Sequence, residues 1–287
     1  MSADFNRGTG LLVIEVVNSN PNGDPDQESE PRTFDADGRG LISPVSFKRK
    51  LRDLMEQTDG DVRAAALKAV AAPAKGRGFD ILESRGRNRA TISAMPLDEF
   101  RAAYWDGRVF GNTFVEEKDK GRFISTGVVQ VGPGVSVAPV DIVRHTLTNK
   151  AGVEADKDRG MAPLAFRFVK HGLYVMPFFV NPSAAGKSGC DARDIELLKF
   201  LIPQAYAHTR SAARPQVDVL HAWYAEHKSP LGSCPDPLLL AALKPRKLEE
   251  RDRPSMSLGD YDVPQDLPAD LKARLNSFED LCVKAWA

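Results

Sequence analysis

No run of apolar residues in this chain approaches the roughly 20 that an α-helix needs to cross a bilayer. Its first residues, Met1-Ser2-Ala3-Asp4-Phe5-Asn6-Arg7, lack the apolar core of a secretory signal, so the chain is expected to stay in the cytoplasm. Cysteine is scarce. Cys190, Cys234 and Cys282 are odd in number, far apart and outside any Cys-x-x-Cys spacing. That argues against a disulfide framework or a thiolate zinc site and fits a reducing compartment. His145, His171, His208, His221 and His227 show neither His-x-x-x-His spacing nor a nucleophile motif, and are read as structural. Net charge is also missing: 39 Lys and Arg balance 39 Asp and Glu, which does not advertise a polyanion binder.

Net charge is only a first moment, and here the charge is segregated. Asp24, Asp26, Glu28, Glu30, Asp35 and Asp37 crowd together, whereas Lys48 to Arg52 and Lys75 to Arg89 are mostly basic. Such segregation gives a local field without a net one, and would suit copies stacked head to tail. A length of 287 residues is enough for a substantial core, in one elaborated domain or two.

The chain is organised around residues 10 to 52. Leu11-Leu12-Val13-Ile14-Glu15-Val16-Val17 reads as a buried strand, and Asn18 to Pro25 as a loop. Ser43 then fits a helix N-cap with Pro44 at the first turn, where a missing N–H costs nothing. In that helix Val45, Leu51, Leu54 and Met55 supply an apolar side, and Lys48, Arg49, Lys50 and Arg52 a basic one. Backbone amides, a positive helix end and four cations together suit a run of phosphates. A merely solvated helix face is the competing reading.

Further along, a second helix is expected over Asp61 to Ala72, ended by Pro73, and then a basic turn at Lys75-Gly76-Arg77-Gly78. Arg85, Arg87 and Arg89 continue the positive charge, and Pro96 to Trp105 reads as a short helix. Arg122 to Val143 holds strands around a Gly132-Pro133-Gly134 turn. A polar excursion, Thr146 to Met161, precedes a strong strand over Phe166 to Asn181. A helix over Ala192 to Ala207 capped by Asp191, a strand over Val217 to Tyr224, a proline-rich tail and a final helix within Ala269 to Ala287 complete the chain. The order strand, helix, strands, helix, strand predicts an α+β fold, a split βαβ sheet of ferredoxin-like or RNA-recognition-motif topology with helices on one face.

The strand, the Asn20-Pro21-Asn22-Gly23-Asp24-Pro25 loop, the Gly40 to Arg52 segment and, later, Tyr206 to Arg214 resemble the backbone subunit of CRISPR Cascade complexes in this order. The chain is similar to the type I-C form, within the "Cas seven" family of repeat-associated RNA-binding proteins. The resemblance implies a modified ferredoxin-like palm at 1–55 and 122–225, a helical finger insertion at 56–121 and a projecting thumb hairpin at about 146–163. It also implies a Pro-rich C-terminal extension, 226–287, packing on the palm. By the same resemblance the protein is a non-catalytic subunit that oligomerises along guide RNA (crRNA) and presents it to target DNA. Its other partners would be further copies of itself, a crRNA-end cap subunit and a large subunit, with no membrane, cofactor or metal.

Contacts to RNA are expected at Asn20, Asn22, Ser43, Ser46, Lys48, Arg49, Lys50, Arg52, Arg85, Arg87 and Arg89, with Arg159 and Met161 as the thumb wedge that displaces a base. The family's Ser-Ser-Gln turn is Ser43-Pro44-Val45 here, which leaves the backbone and Ser43 to make its contacts. An enzymatic alternative stays open, since superfamily relatives cut RNA with a histidine or with an aspartate in the loop comparable to Asp24. Asp24, Asp26, Glu28 and Glu30 fail the calcium-loop pattern, with Pro25 at its second position and no Gly at its sixth. Magnesium held through one or two of these carboxylates is not excluded by that failure.

Overall fold

Gly8 to Ile14 are buried at every position, which a strand allows only when layers cover both of its faces. The computed structural model describes residues 4–57, 60–71, 76–114, 123–149 and 162–286, and this strand lies within its main sheet.

In chain order, β1 (Gly8–Ser19) is followed by the short β2 (Gly23–Asp24), β3 (Glu30–Pro31) and β4 (Arg39–Ile42), then α1 (Pro44–Glu56) and α2 (Asp61–Ala69). Three short helices, α3 (Arg89–Ser93), α4 (Leu97–Ala103) and α5 (Trp105–Phe110), lead into the paired strands β5 (Gly111–Phe114) and β6 (Phe123–Thr126). Next come β7 (Val129–Val131), β8 (Gly134–Pro139), β9 (Ile142–Asn149) and the long β10 (Ala162–Val180). Helices α6 (Ala185–Ser188) and α7 (Ala192–Leu201) precede β11 (Gln216–His227). The remainder comprises α8 (Asp236–Leu243), β12 (Arg246–Lys247), β13 (Tyr261–Asp262), α9 (Ala269–Lys272), β14 (Leu275–Asp280) and α10 (Leu281–Trp286).

The main sheet runs β14-β11-β1-β10-β8-β4, with β7 and β9 paired to other lengths of β10. All of these pairings are antiparallel, and Gly8 at the start of β1 lies opposite both Val180 and Glu226. Alternate residues of β1 point to opposite faces. Leu12, Ile14 and Val16, with Met176, Phe178 and Tyr224, pack beneath Phe47 and Leu51 of α1, Val109 of α5 and Leu197 of α7. Leu11 and Val13, with Leu173 and Trp223, pack against Leu239 and Leu243 of α8, Tyr261 and Leu271. Each such side chain contributes about 1.5–3 kcal/mol of burial, so β1 anchors two cores at once. Among the described residues no helix is long and apolar enough to cross a membrane.

The structure departs from the sequence-based expectation in four places. The final segment is not one helix: α9 and α10 flank a strand, β14, that pairs with β11 from Trp223–Asp280 to His227–Leu275. Leu271, Leu275, Phe278 and Leu281 have helical spacing, but the open hydrogen-bonding edge of β11 takes the chain as a strand. The helix after Asp191 ends at Leu201 and tightens into a 3₁₀ turn, since Pro203 has no N–H to continue it. The helix expected over Pro96 to Trp105 is two, broken at the extended Tyr104. The second helix of the chain stops at Ala69.

Candidate nucleic-acid interface

The start of α1 is built as Ser43 and Pro44 foretell. The Ser43 hydroxyl accepts a hydrogen bond from the Ser46 amide at 3.2 Å, and Pro44 occupies the first turn. The Ser43 amide in turn donates to Asn22 Oδ1 at 2.7 Å, which clamps the preceding loop onto the helix end. Gly23 lets that loop close, because a Cβ there would lie 2.9 Å from the Ser29 carbonyl oxygen. Three of the loop's carboxylates are already engaged: Asp24 pairs with Arg32 at 3.2 Å, and Arg167 of β10 holds Glu28 at 2.5 Å and Glu30 at 3.7 Å.

Between this loop–helix junction, the segment around Glu83–Arg85, the turn from Phe110 to Asn112 and the Thr126–Gln130 stretch lies a groove of 1020 Å³. Asn22, Ser43, Ser46, Arg49, Lys50, Arg52 and Arg85, all expected from sequence, line it together. Arg32, Asn112, Gln130 and Arg214 line it as well and were not foreseen. Arg214 stands in the Tyr206 to Arg214 segment already noted for its resemblance, which was the available signal. Gly127 forms part of the wall by close approach: a Cβ there would sit 2.1 Å from the Phe110 carbonyl carbon.

The cations of the groove are not equivalent. Arg49 donates from Nε to Asp53 Oδ1 at 2.7 Å and from Nη1 to the Glu83 carbonyl at 2.6 Å, and it also pairs with Glu56. Burial works against its charge, but Asp53 and Glu56 outweigh that and hold its pKa above the usual arginine value. Arg52 donates from Nε to Asp106 Oδ2 at 2.8 Å and lies over the Phe110 ring. Asp106, fully buried, also accepts from the amides of Leu82 at 2.6 Å and Glu83 at 3.2 Å. Lys50 differs: it is only 8% exposed, yet among the described residues its ammonium has no hydrogen bond or ion pair. Burial first, then Arg214, lowers its pKa below the ordinary lysine value; Asp53 pulls the other way, and Arg49 and Arg85 add smaller pushes downward. The guanidinium groups of Arg85 and Arg214 likewise form no ion pair among the described residues, although the Arg85 amide donates to Glu56 Oε1 at 2.6 Å. Unneutralised cations beside a helix N-terminus suit phosphate oxygens. Val45, 73% exposed in the first helical turn, adds an apolar surface at their side.

The sequence profile of the family described as CRISPR-associated protein Cas7 matches residues 6–266. The chain belongs to the Cas7 family.

A curated relative, the CRISPR-associated protein Cas7 of Haloferax volcanii, is 24% identical over 217 residues, covering 69% of this chain and 63% of the relative. The chain therefore matches less than two thirds of that Cas7 protein's length. Among solved structures, a chain of a CRISPR RNA-guided surveillance complex in a pre-nicking state has a TM-score of 0.47 at 16% identity, covering 77% of this chain and 76% of its own. A chain of another CRISPR RNA-guided surveillance complex has a TM-score of 0.42 at 17% identity, with 82% and 75% covered. A third, from the type III-B Cmr-beta complex bound to cognate target RNA, has a TM-score of 0.40 at 12% identity, with 77% and 61% covered.

In this Cas7 chain six expected residues are not brought to the groove lining or are not described. Asn20 is held behind it, its amide donating to the Ala213 carbonyl at 2.8 Å and its Nδ2 to the Ser29 carbonyl at 2.7 Å. Lys48 turns its Nζ over the Phe110 ring, 5.2 Å from the centre, and burial followed by Arg52 lowers its pKa. Arg87 pairs with Glu83 at 2.9 Å and is absent from the lining. Arg89 opens α3, but its side chain, like Arg159 and Met161, lies outside the described residues. The four cations of α1 thus do not form one equally available patch, because the segment between α1 and β5 brings Asp106 and Phe110 against them.

Three of the five histidines are held away from the groove. His171 bonds Ser255 Oγ at 2.7 Å and Glu15 Oε1 at 3.2 Å, His221 bonds Asp280 at 2.6 Å, and His227 bonds Thr9 Oγ at 3.0 Å. Among the described residues no three His, Cys, Asp or Glu side chains gather into a set able to hold a metal ion. Cys190, Cys234 and Cys282 are free and buried.

Proposed function

We propose that this Cas7 chain is a non-catalytic guide-RNA-binding backbone subunit of a type I-C CRISPR interference complex, several copies lying along one crRNA. The observation that carries this reading is the groove at the start of α1, where the Lys50 ammonium and the guanidinium groups of Arg85 and Arg214 form no ion pair among the described residues. Phosphates lie along every strand whatever its sequence, so a grip of this kind reads no letters. Asn112 and Gln130 would meet sugar hydroxyls or base edges without selecting among them. The guide bases then remain free to pair with target DNA, and base pairing supplies the specificity.

The strand order β11-β1-β10-β8, with α1 between β1 and β8 and α7 between β10 and β11, supports a ferredoxin-like palm. On it, residues 56–121 would serve as the finger and about 146–163 as the thumb. A crRNA-end cap subunit and a large subunit would complete the assembly.

The test is binding of the full chain to several unrelated single-stranded RNAs of equal length across a salt series. The expected result is similar affinity for all of them, a common log–log salt slope of about −0.7 per contacted phosphate, and RNA recovered intact. Marked preference for one sequence, or RNA recovered shortened, would overturn the proposal.

A further inference from the structure

We infer that the loop between β12 and β13, residues 248–260, is a docking surface for a protein segment that carries large apolar side chains flanked by lysine or arginine. It lies on the other side of the main sheet from the groove. Tyr261, at its base, packs with Leu11 and Val13, whereas α1 packs on Leu12 and Ile14. What it holds does not depend on what the groove holds.

The loop is fixed from beneath at three points. Lys247, only 7% exposed, donates from Nζ to the carbonyls of Glu250 at 2.8 Å, Arg253 at 2.7 Å and Pro254 at 3.4 Å. Ser255, also buried, shares its hydroxyl with His171 Nδ1 at 2.7 Å and the Tyr261 hydroxyl at 2.8 Å. Asp260 Oδ2 accepts from the amides of Met256 at 2.6 Å and Ser257 at 3.3 Å. Glu250 is held at a φ of 41°, a left-handed conformation that is costly for any residue but glycine. Burying an ammonium and ordering a loop both oppose folding, yet here they fix a segment whose Leu248, Met256 and Leu258 are 61%, 65% and 37% exposed. Exposed apolar side chains standing singly need no explanation, but three on one fixed loop mark an interaction surface.

The occupant follows from what surrounds them. Leu248, Pro254 and Met256 line a hollow of 420 Å³ together with Glu249, Glu250 and Asp260. Its charge balance is acidic. The Lys247 ammonium is turned to carbonyls, Arg253 pairs with Glu250 at 3.1 Å, and Glu249 and Asp260 form no ion pair among the described residues. Carboxylates beside the hollow repel phosphates, which disfavours nucleic acid, and attract a cation that flanks an apolar side chain. A loop ordered in advance loses little freedom when a partner arrives, and the Met256 thioether can adapt to the side chain it meets.

The experiment selects phage displaying short random peptides on the full chain. The enriched peptides are expected to combine leucine, phenylalanine or methionine with lysine or arginine. Their synthetic consensus peptide should bind saturably in fluorescence anisotropy, about tenfold or more weaker to the Leu248→Ser, Met256→Ser double variant and to Glu249→Lys. All three positions are exposed, so the fold is kept and any RNA binding is unchanged in both variants. No enrichment, enrichment of acidic or wholly polar peptides, or an affinity that both variants leave unaltered overturns the docking surface. Self-association of the chain that the double variant abolishes would make the occupant a second copy, and RNA crosslinked to this loop would make it a nucleic acid; either result overturns the assignment.

Discussion

Arg108 and Asp194 meet in a two-point ion pair, Nε to Oδ2 at 3.0 Å and Nη2 to Oδ1 at 2.9 Å, with side chains 1% and 0% exposed. The remaining donors of Arg108 reach the carbonyls of Gly78, Arg101 and Ala102 at 2.8, 2.7 and 2.9 Å. Asp194 also completes the capping box of α7 with Asp191 and accepts from Arg77. The segment between α1 and β5 is therefore bolted to α7, and with it Asp106 and Phe110, which fix the groove's wall.

Removing one partner of such a pair leaves a buried charge without compensation. Arg108→Met is expected to lose about 3–5 kcal/mol of stability. Urea unfolding measures it, and a loss under about 1 kcal/mol contradicts the role given to this pair.

The parts of the fold legible in the sequence are those written by neighbouring residues. The apolar run of β1, the Ser43-Pro44 helix start and the Asp191 cap are local chemistry, and all three hold. What the sequence conceals are meetings at a distance. Arg52 is neutralised by Asp106, 54 positions away, so a helix face that reads as a bare basic patch is half paired. Arg214 arrives at the groove by the pairing of β11 beside β1, and β14 is a strand only because the edge of β11 needs one. Seven expected contact residues gather in one groove, but which of them are free depends on carboxylates that local pattern does not locate.

The Lys50 charge opposes folding at neutral pH. Burial and the neighbouring arginines place its folded pKa below the unfolded value of 10.5, so folding weakens its hold on a proton. The opposition is full below the folded pKa, fades as pH rises through it and is gone above the unfolded one. Lys50→Met should therefore be more stable than the natural chain at neutral pH, with the difference shrinking toward the lysine range. A less stable variant at neutral pH contradicts this.

His227 should show the acid counterpart. Its Nδ1 accepts from the Ser233 amide at 3.0 Å, so the neutral ring carries its proton on Nε2 toward Thr9 Oγ, which itself donates to Asp236 at 2.7 Å. Burial, with Arg7 adding to it, lowers the His227 pKa against the pull of Asp236. A folded pKa below the unfolded 6.5 means that stability is full above about 6.5 and is lost as pH falls from there toward the folded pKa. His227→Gln is expected to flatten the stability–pH curve below that value, and an unchanged slope contradicts the assignment.

Gly127 tests the groove wall directly. An added Cβ would lie 2.1 Å from the Phe110 carbonyl carbon and 2.3 Å from the Gly111 amide nitrogen, so backbone must move. Gly127→Ala should cost about 1–3 kcal/mol and weaken RNA binding. Gly186→Ala in α6, where nothing lies within 4 Å of the new carbon, should be neutral or mildly stabilising. Equal stabilities for the two variants contradict the close approach.

The account stands most directly on where RNA lies. Photocrosslinking of the full chain to single-stranded RNA carrying 4-thiouridine throughout, read by mass spectrometry, locates it. Adducts are predicted on the peptides that hold Asn22, Val45 to Lys50, Arg85, Gln130 and Arg214. Adducts confined to the opposite layer, on α8 or around β12 and β13, with none in the groove, would contradict it.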